Sequence, residues 1–225
     1  GHKIVFNSKV SDILYVNNSY EIKTTSGKTY LADAIFSSMP LSHLPYTISP
    51  NPDKEILKAG KELKFRDFLS VALVVPKNKA FPDNWIYIHD PEVRVGRIQN
   101  YGNWSPYMIK EDKTCLGLEF FVNEGDDLWT KDDNDLVKLA IKELEHLGLA
   151  NKELVSEGYV VRMPKAYPVY DLNYKENINL IKDWLIKSHK MIFPIGRNGM
   201  HRYNNQDHSM MTAVKSVRNL ILNEK

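Results

Sequence analysis

The sequence lacks the features that mark several classes of protein. Its 225 residues include a single cysteine, Cys115, which excludes an intramolecular disulfide and fits a reducing cytoplasm. The formal net charge is only +2, so no excess of basic residues indicates a nucleic-acid or membrane-surface protein. No apolar run approaches the roughly 20 residues that a membrane-spanning helix needs. The sequence predicts a cytoplasmic globular protein, and 11% aromatic residues argue against disorder.

Motifs that would indicate common chemistries are missing as well. The sequence contains no Gly-x-Gly-x-x-Gly turn, no P-loop, no Cys/His spacing for zinc and no Ser/His/Asp order with local support. The acidic pairs Asp126-Asp127 and Asp132-Asp133 are interpreted as helix starts or solvated charges. We therefore predict no metal site, and the catalytic residues stay unknown. No secretory signal is visible, and Gly1-His2 resembles a remnant of tag cleavage.

The most informative stretch runs from Phe193 to Ser209. The apolar run Met191–Ile195 predicts a short buried strand, which the glycine-rich turn Gly196–Gly199 ends. A polar loop follows, and an amphipathic helix is expected to begin at Asp207. Because a helix N-terminus presents unpaired N–H groups, this order of elements indicates an anion site.

The rest of the chain predicts an α+β fold. Residues 3–35 read as a β-meander, and a mixed or antiparallel sheet with helices is expected in the middle of the chain. Helices are predicted over residues 49–63, 132–147, 175–187 and 207–222. In the last helix, the apolar side chains at positions 210, 211, 214, 217, 220 and 221 are expected to face inward. We predict a discontinuous domain, 1–48 with 164–225, around an α+β domain of residues 49–163.

The order of these segments resembles a known family. Ala32–Leu41, the central sheet, Ala166–Asp171 and Gly196–Gly199 through His208 follow the order of the flavin-containing amine oxidase and protoporphyrinogen oxidase-like superfamily. The branch related to UDP-galactopyranose mutase, often tied to lipopolysaccharide or surface-sugar biosynthesis, is the most similar. The resemblance covers nearly the whole chain, from Lys3 to Leu222, and implies an α/β flavoenzyme fold.

One departure from the family limits what the resemblance implies. Family members begin with a strand, a Gly-x-Gly-x-x-Gly turn and a helix that hold the FAD pyrophosphate, and this sequence has none. The chain is thus expected to be the C-terminal portion of a flavoenzyme, an expressed fragment or a truncated gene product. Alone it should lack FAD and activity, and it should self-associate through the face left by the missing unit.

The resemblance also implies site residues. The residues expected near the flavin are Val10, Ser38, Met39, Pro40, Gly196, Arg197, Asn205, Asp207, His208 and Ser209. Near the substrate we expect Tyr167 and Tyr170, from their place in the family's order, and Arg94, Arg97, Asn100 and Trp104, because cationic and aromatic side chains cluster in this part of the sequence. Each has a structural alternative: helix capping by Asn205 or Asp207, a strand ended by Pro40, or aromatic rings packed in the core.

Two classes of function follow from the sequence. In the first, the chain is the substrate domain and flavin-contacting part of an FAD-dependent oxidoreductase that acts on a small molecule such as a sugar nucleotide. A UDP-galactopyranose mutase-type isomerase is the alternative within this class. In the second, the chain is a non-catalytic binding module that has kept the fold and lost FAD.

Overall fold

A computed structural model describes residues 3–110 and 112–222. The strands are β1 (Val10–Val16), β2 (Ser19–Thr24), β3 (Thr29–Ala32), β4 (Ile35–Ser37), β5 (Ile48–Ser49), β6 (Phe65–Pro76), β7 (Trp85–Tyr87), β8 (Arg97–Asn100), β9 (Lys113–Val122), β10 (Glu157–Pro168) and β11 (Ile192–Pro194). The helices are α1 (Leu44–Thr47), α2 (Lys54–Glu62), α3 (Tyr101–Trp104), α4 (Asp127–Thr130), α5 (Asp133–His146), α6 (Tyr174–Ser188), α7 (Gly196–Gly199) and α8 (Gln206–Leu222). Short 3₁₀ turns cover Lys77–Lys79, Pro106–Met108 and Lys152–Leu154.

The chain forms two compact units. The first joins the chain up to Phe65 with the chain from Tyr167 onward, and the second spans Arg66–Ala166. The α+β fold class is therefore confirmed. The division of roles between a flavin-binding and a substrate-binding part stays a prediction. None of the helices in residues 3–110 and 112–222 is long and apolar enough to cross a bilayer.

The first unit holds two sheets. One has the strand order β3-β2-β1-β5, in which β1 and β2 form an antiparallel hairpin. Asn17 and Asn18 turn this hairpin with positive φ angles of 51° and 64°, a conformation that asparagine tolerates. The second sheet is the parallel pair β11-β4. Around both sheets, Ile13, Tyr20 and Leu41 belong to a core that α2 and α6 complete.

The second unit is a five-stranded sheet in the order β10-β6-β9-β8-β7, covered on one face by α5. Alternate residues of β6, Leu69, Val71 and Leu73, are buried in the same cluster as Leu136 and Leu144 of α5. Each such side chain contributes about 1.5–3 kcal/mol by its burial. The period of two in the strand and the apolar stripe of the helix thus explain why these elements pack.

Helix α8 corrects one expectation. It begins at Gln206, one residue before the predicted start, but it has no buried residue. Instead of facing inward, Met210 is 63% and Ile221 70% exposed, and Val214 and Val217 lie between them on the same side. We call these four residues the α8 stripe. The half-buried residues of α8 are mostly small, at positions 209, 212, 213, 216 and 220.

Candidate functional site

The structure brings together the two segments predicted to line the flavin. Strands β4 and β11 run parallel, with Ile35 beside Ile192 and Ser37 beside Pro194, so their carboxyl ends meet at one edge. Beyond that edge, the Ile195 N–H donates to the Ser37 carbonyl at 2.9 Å, and the Leu41 N–H donates to the Asn198 carbonyl at 2.9 Å. The edge at the carboxyl ends of parallel strands is where α/β folds bind ligands.

Two glycines make this close approach possible. A Cβ added at Gly199 would lie 2.5 Å from the Ser37 carbonyl oxygen, closer than a carbon and an oxygen can approach. Gly196 has a φ of +71°, and its N–H donates to Thr212 Oγ1 of α8 at 2.8 Å. The glycines therefore pack α7 against the end of β4 and tie it to α8. This packing explains why positions 196 and 199 are glycines without invoking a bound dinucleotide.

Arg197 is held by a tyrosine pair. Its guanidinium carbon lies 4.9 Å from the ring centres of both Tyr167 and Tyr203, which are stacked at 5.8 Å. Its Nε and Nη2 donate to the Asn204 carbonyl at 2.9 and 2.7 Å. The guanidinium therefore orders the chain just before α8, and an additional contact with an anion stays a prediction.

The second predicted tyrosine, Tyr170, contacts the same loop. Its hydroxyl accepts a hydrogen bond from the Tyr203 N–H at 2.5 Å, and its ring stacks on Tyr174 at 4.6 Å. Tyr167 and Tyr170 therefore lie together in the first unit, beside Arg197 and Tyr203. Their contact with substrate stays a prediction.

A cavity lies beside the end of β4. It has a volume of about 650 Å³, and Val10, Ser38, Met39 and Pro40 all line it, together with Lys9. This volume is within the range of about 300–1,000 Å³ typical of small-molecule sites. The wall combines apolar side chains, a lysine and the polar backbone of a strand end. This donor set fits part of a dinucleotide, and the exposed Ser38 offers a hydroxyl at its rim.

A smaller cavity of about 400 Å³ lies at the start of α8, lined by Arg197, Asn204, Asn205, Gln206, Ser209 and Met210. Ser209 Oγ donates to Asn204 Oδ1 at 2.7 Å. The first N–H groups of a helix have no acceptor within the helix, which favours an anion here. Asp207 opposes this effect, because its carboxylate lies in the first turn and is 3.1 Å from Nδ1 of His208.

The cations predicted near the substrate are paired with acids in the second unit. Arg94 is bonded to Asp127, and this bond holds the pKa of Asp127 near 2, below its usual value. Arg97 is bonded to the buried carboxylate of Glu119, which also accepts from Gln99. Sequence analysis missed Glu119, since its position in an apolar strand is typical of core.

The neighbouring polar and aromatic candidates have different surroundings. Asn100 is 3% exposed, donates to the Phe81 carbonyl at 2.8 Å and accepts from Thr114 at 2.7 Å. These hydrogen bonds satisfy the buried side-chain amide of Asn100, so a structural role explains its burial. Trp104 is half exposed and meets the ring of Trp85 edge to face at 5.8 Å. Trp85 lies 4.9 Å from the Arg97 guanidinium, so this group has the aromatic surface that a sugar or base would stack on.

The structure also shows that His201 is buried, which no pattern in the sequence indicates. The side chain is 1% exposed, and its Nε2 lies 3.3 Å from the Val169 carbonyl oxygen. Burial lowers its pKa, while the Val169 carbonyl and Asp171 act in the opposite direction. A lone histidine in a polar loop gives no indication of burial, because its contacts come from residues 30 or more positions away.

Comparison with solved structures shows the same fold. A reduced UDP-galactopyranose mutase matches with a TM-score of 0.82 and 19% identity, over 96% of this chain and 46% of that chain. A protein assigned as a protoporphyrinogen oxidase from Exiguobacterium sp. 255-15 gives 0.72 and 15%, over 96% and 47%. A redesigned putrescine oxidase gives 0.66 and 10%, over 97% and 49%. The chain thus spans less than half of the length of these proteins.

Comparison with sequences gives one family. No curated protein sequence matches the chain. The family model described as flavin containing amine oxidoreductase matches residues 1–168, which is more than half of the chain and includes β1, β4 and the whole second unit. Membership in this family implies a flavin cofactor. The chain belongs to the flavin-containing amine oxidoreductase family.

Proposed function

We propose that the chain is the substrate-binding and flavin-contacting part of an FAD-dependent oxidoreductase. The observation that carries this proposal is the meeting of the β4 and β11 ends beside the cavity lined by Val10, Ser38 and Met39. Four residues assigned to the flavin by resemblance alone lie on that one cavity. Val10 lies on this cavity although it comes from a different strand than Ser38–Pro40, which supports a binding site here.

The residues divide into those that would hold the cofactor and those that shape its surroundings. Val10, Ser38, Met39 and Pro40 would form a wall against the dinucleotide. Asn205, Ser209 and the first N–H groups of α8 would face its polar edge, while Gly196, by its hydrogen bond to Thr212, and Arg197, by its hydrogen bonds to Asn204, keep that helix start in place. When bound, FAD supplies the redox chemistry, and the chain binds, orients and excludes water.

For the substrate we propose a small molecule with a ring that stacks on aromatic side chains, such as a sugar nucleotide in surface polysaccharide or lipopolysaccharide biosynthesis. Support comes from the group formed by Trp85, Trp104 and Arg97. Because Glu119 neutralises Arg97, this group suits the sugar or base better than a diphosphate. In the first unit, Tyr167 and Tyr170 stay predicted substrate contacts on the basis of their position in the chain alone.

A second candidate, a flavin-dependent isomerase, is supported by the fold similarity to UDP-galactopyranose mutase, with its TM-score of 0.82. The two reactions differ in stoichiometry. An oxidoreductase consumes one equivalent of oxidant for each substrate converted, whereas an isomerase converts substrate without net consumption. Measuring oxygen uptake together with product formation separates the two candidates.

The experiment that tests the proposed cofactor uses the natural full-length protein. We expect a visible flavin absorption spectrum after purification, and we expect Ser38→Trp to abolish it by filling the cavity. Ser26→Trp, an equally exposed serine at a turn that does not line the cavity, is the control and should keep the flavin. A folded wild-type protein without flavin would instead support the non-catalytic binding module. Flavin retained by Ser38→Trp would overturn the proposed position.

We also propose a partner for the α8 stripe. The related structures extend well beyond the region that this chain covers, and a nucleotide-binding unit is the partner that the α8 stripe and the adjoining cavity at Met210 fit. Residues 1–225 alone should then self-associate through the stripe. In sedimentation velocity, we expect concentration-dependent association that Val214→Glu with Val217→Glu suppresses and Arg218→Glu leaves in place. A monomeric wild-type chain would contradict this.

A further inference from the structure

Two segments of the first unit are tied together beside the proposed flavin site. We call Tyr167–Tyr170 the tyrosine segment and Met200–Asn205 the connecting loop. The Tyr203 N–H donates to the Tyr170 hydroxyl, the rings of Tyr167 and Tyr203 stack, and Arg197 lies against both rings. Since α8 starts at Gln206, directly after the connecting loop, these ties set where the helix begins.

His201 adds the buried tie between the two segments. Its ring meets Phe65 edge to face at 4.8 Å, and its Nε2 lies 3.3 Å from the Val169 carbonyl. Among the described residues, no hydrogen-bond partner meets its Nδ1. A carbonyl accepts, so Nε2 carries the hydrogen in this contact, and a hydrogen on Nδ1 would find no acceptor. The site therefore fits the neutral imidazole, and a second proton would have no acceptor there.

The charged groups around His201 do not reverse the preference of the site for the neutral imidazole. Asp171 is the acid whose charge acts on the imidazole, but it also pairs with Lys64 at 3.2 Å. The Val169 carbonyl acts in the same direction as Asp171. Burial is the largest effect on the imidazole, and it lowers the pKa below the usual value.

We propose that His201 is a positioning residue whose neutral ring latches the connecting loop onto the tyrosine segment, and that its protonation opens this latch. The latch is a property of the fold. Its consequence, that opening displaces Arg197 and the start of α8 from a bound flavin, rests on the proposed function.

The direction of the pH effect follows from the lowered pKa of His201. In the open loop the imidazole has an ordinary pKa of about 6.5, and in the latched loop the pKa is lower, so opening takes up a proton. The latch is fully effective above about pH 6.5 and is lost as the pH falls from there toward the latched-state pKa. Within that window, the opening equilibrium constant should rise by up to about tenfold for each pH unit.

Hydrogen exchange of the connecting-loop amides tests the latch in the wild-type chain. After correction for the intrinsic pH dependence of exchange, we expect protection to fall as the pH drops below about 6.5. His201→Gln, whose amide can donate to Val169 without titrating, should remove that dependence. His201→Asn, better suited to the φ of +48°, serves if the first variant does not fold. His189→Gln, which removes the other buried histidine of this unit, is the matched control and should keep the dependence.

Two outcomes would overturn the proposal. One is a pH dependence that persists in the folded His201 variant. The other is an NMR spectrum of the wild-type protein in which the His201 ring is charged, or carries its proton on Nδ1, at pH 7. Flavin binding is measured separately. If the loop titrates as expected but FAD is never bound, the latch stands and the proposed function fails.

Discussion

The packing of α7 against the end of β4 predicts the effect of Gly199→Ala. The added Cβ would meet the Ser37 carbonyl oxygen at 2.5 Å and the Ser38 Cα at 3.4 Å. Both are backbone atoms, so no side chain can turn away, and inserting a methyl group into such a site costs about 1–3 kcal/mol. Alanine also lowers the conformational entropy of the unfolded chain, which stabilises by about 0.4–1 kcal/mol. The steric effect is larger, and we expect a net loss of about 1–2 kcal/mol.

Urea unfolding measures this loss as a lowered midpoint at unchanged slope. Gly27→Ala is the informative control, because nothing lies within 4 Å of the added Cβ and the φ of +80° supplies a purely conformational cost. Gly199→Ala should in addition weaken flavin retention by the full-length protein, whereas Gly27→Ala should not. A Gly199→Ala midpoint equal to that of the wild type would refute the contact between α7 and β4, and with it the site geometry.

Three further predictions concern the second unit. Glu119→Ala should destabilise the protein by about 3–5 kcal/mol in urea unfolding, because it removes the buried acid that pairs with Arg97, whose side chain is 12% exposed. Asp127→Asn, which breaks an exposed ion pair, should change the stability little. Equal effects of the two variants would contradict the burial of the Arg97–Glu119 pair. Asp132→Ala should cost about 1 kcal/mol, since the carboxylate caps α5 by accepting from the Asn134 N–H; an unchanged midpoint would count against the cap. Burial raises the pKa of the Cys115 thiol to about 11, so alkylation at pH 8 should be slow in the folded protein and fast in urea; fast alkylation without urea would show an accessible thiolate.

Helices and strands whose own residues carry a clear hydrophobic pattern could be predicted from the sequence. The apolar run Phe68–Val75 indicates a buried strand, and the strand is observed over Phe65–Pro76. The stripe and acidic start of residues 132–147 indicate a helix, which is observed over Asp133–His146. The alternation of Val93–Asn100 predicts one strand over these residues, but the observed strand begins only at Arg97. Arg94 lies before it, where its backbone N–H donates to Glu143. This contact crosses 49 positions of sequence and leaves no trace in the local pattern.

The apolar face of α8 shows a second limit of what hydrophobic periodicity can predict. Periodicity correctly identifies Met210, Val214, Val217 and Ile221 as one side of a helix. It cannot tell which surface covers that side. In the described chain, α8 instead contacts α7 through small residues: Ser209 lies beside Gly196, and Thr212 accepts from the Gly196 N–H. An apolar stripe therefore predicts that a helix needs a partner, and the structure decides whether the chain provides it.

The same distinction sharpens the meaning of Gly196-Arg197. The sequence indicates an anion site, since glycine, arginine and a helix start lie within a few residues. In the structure, the glycines and the arginine have partners in the protein: Thr212 for Gly196, the close backbone of Ser37 for Gly199, and Asn204 with two tyrosines for Arg197. These contacts hold the first turn of α8 in a fixed position before any ligand binds. Preorganisation of this kind reduces the entropy cost of binding, so the packing contacts support a ligand site.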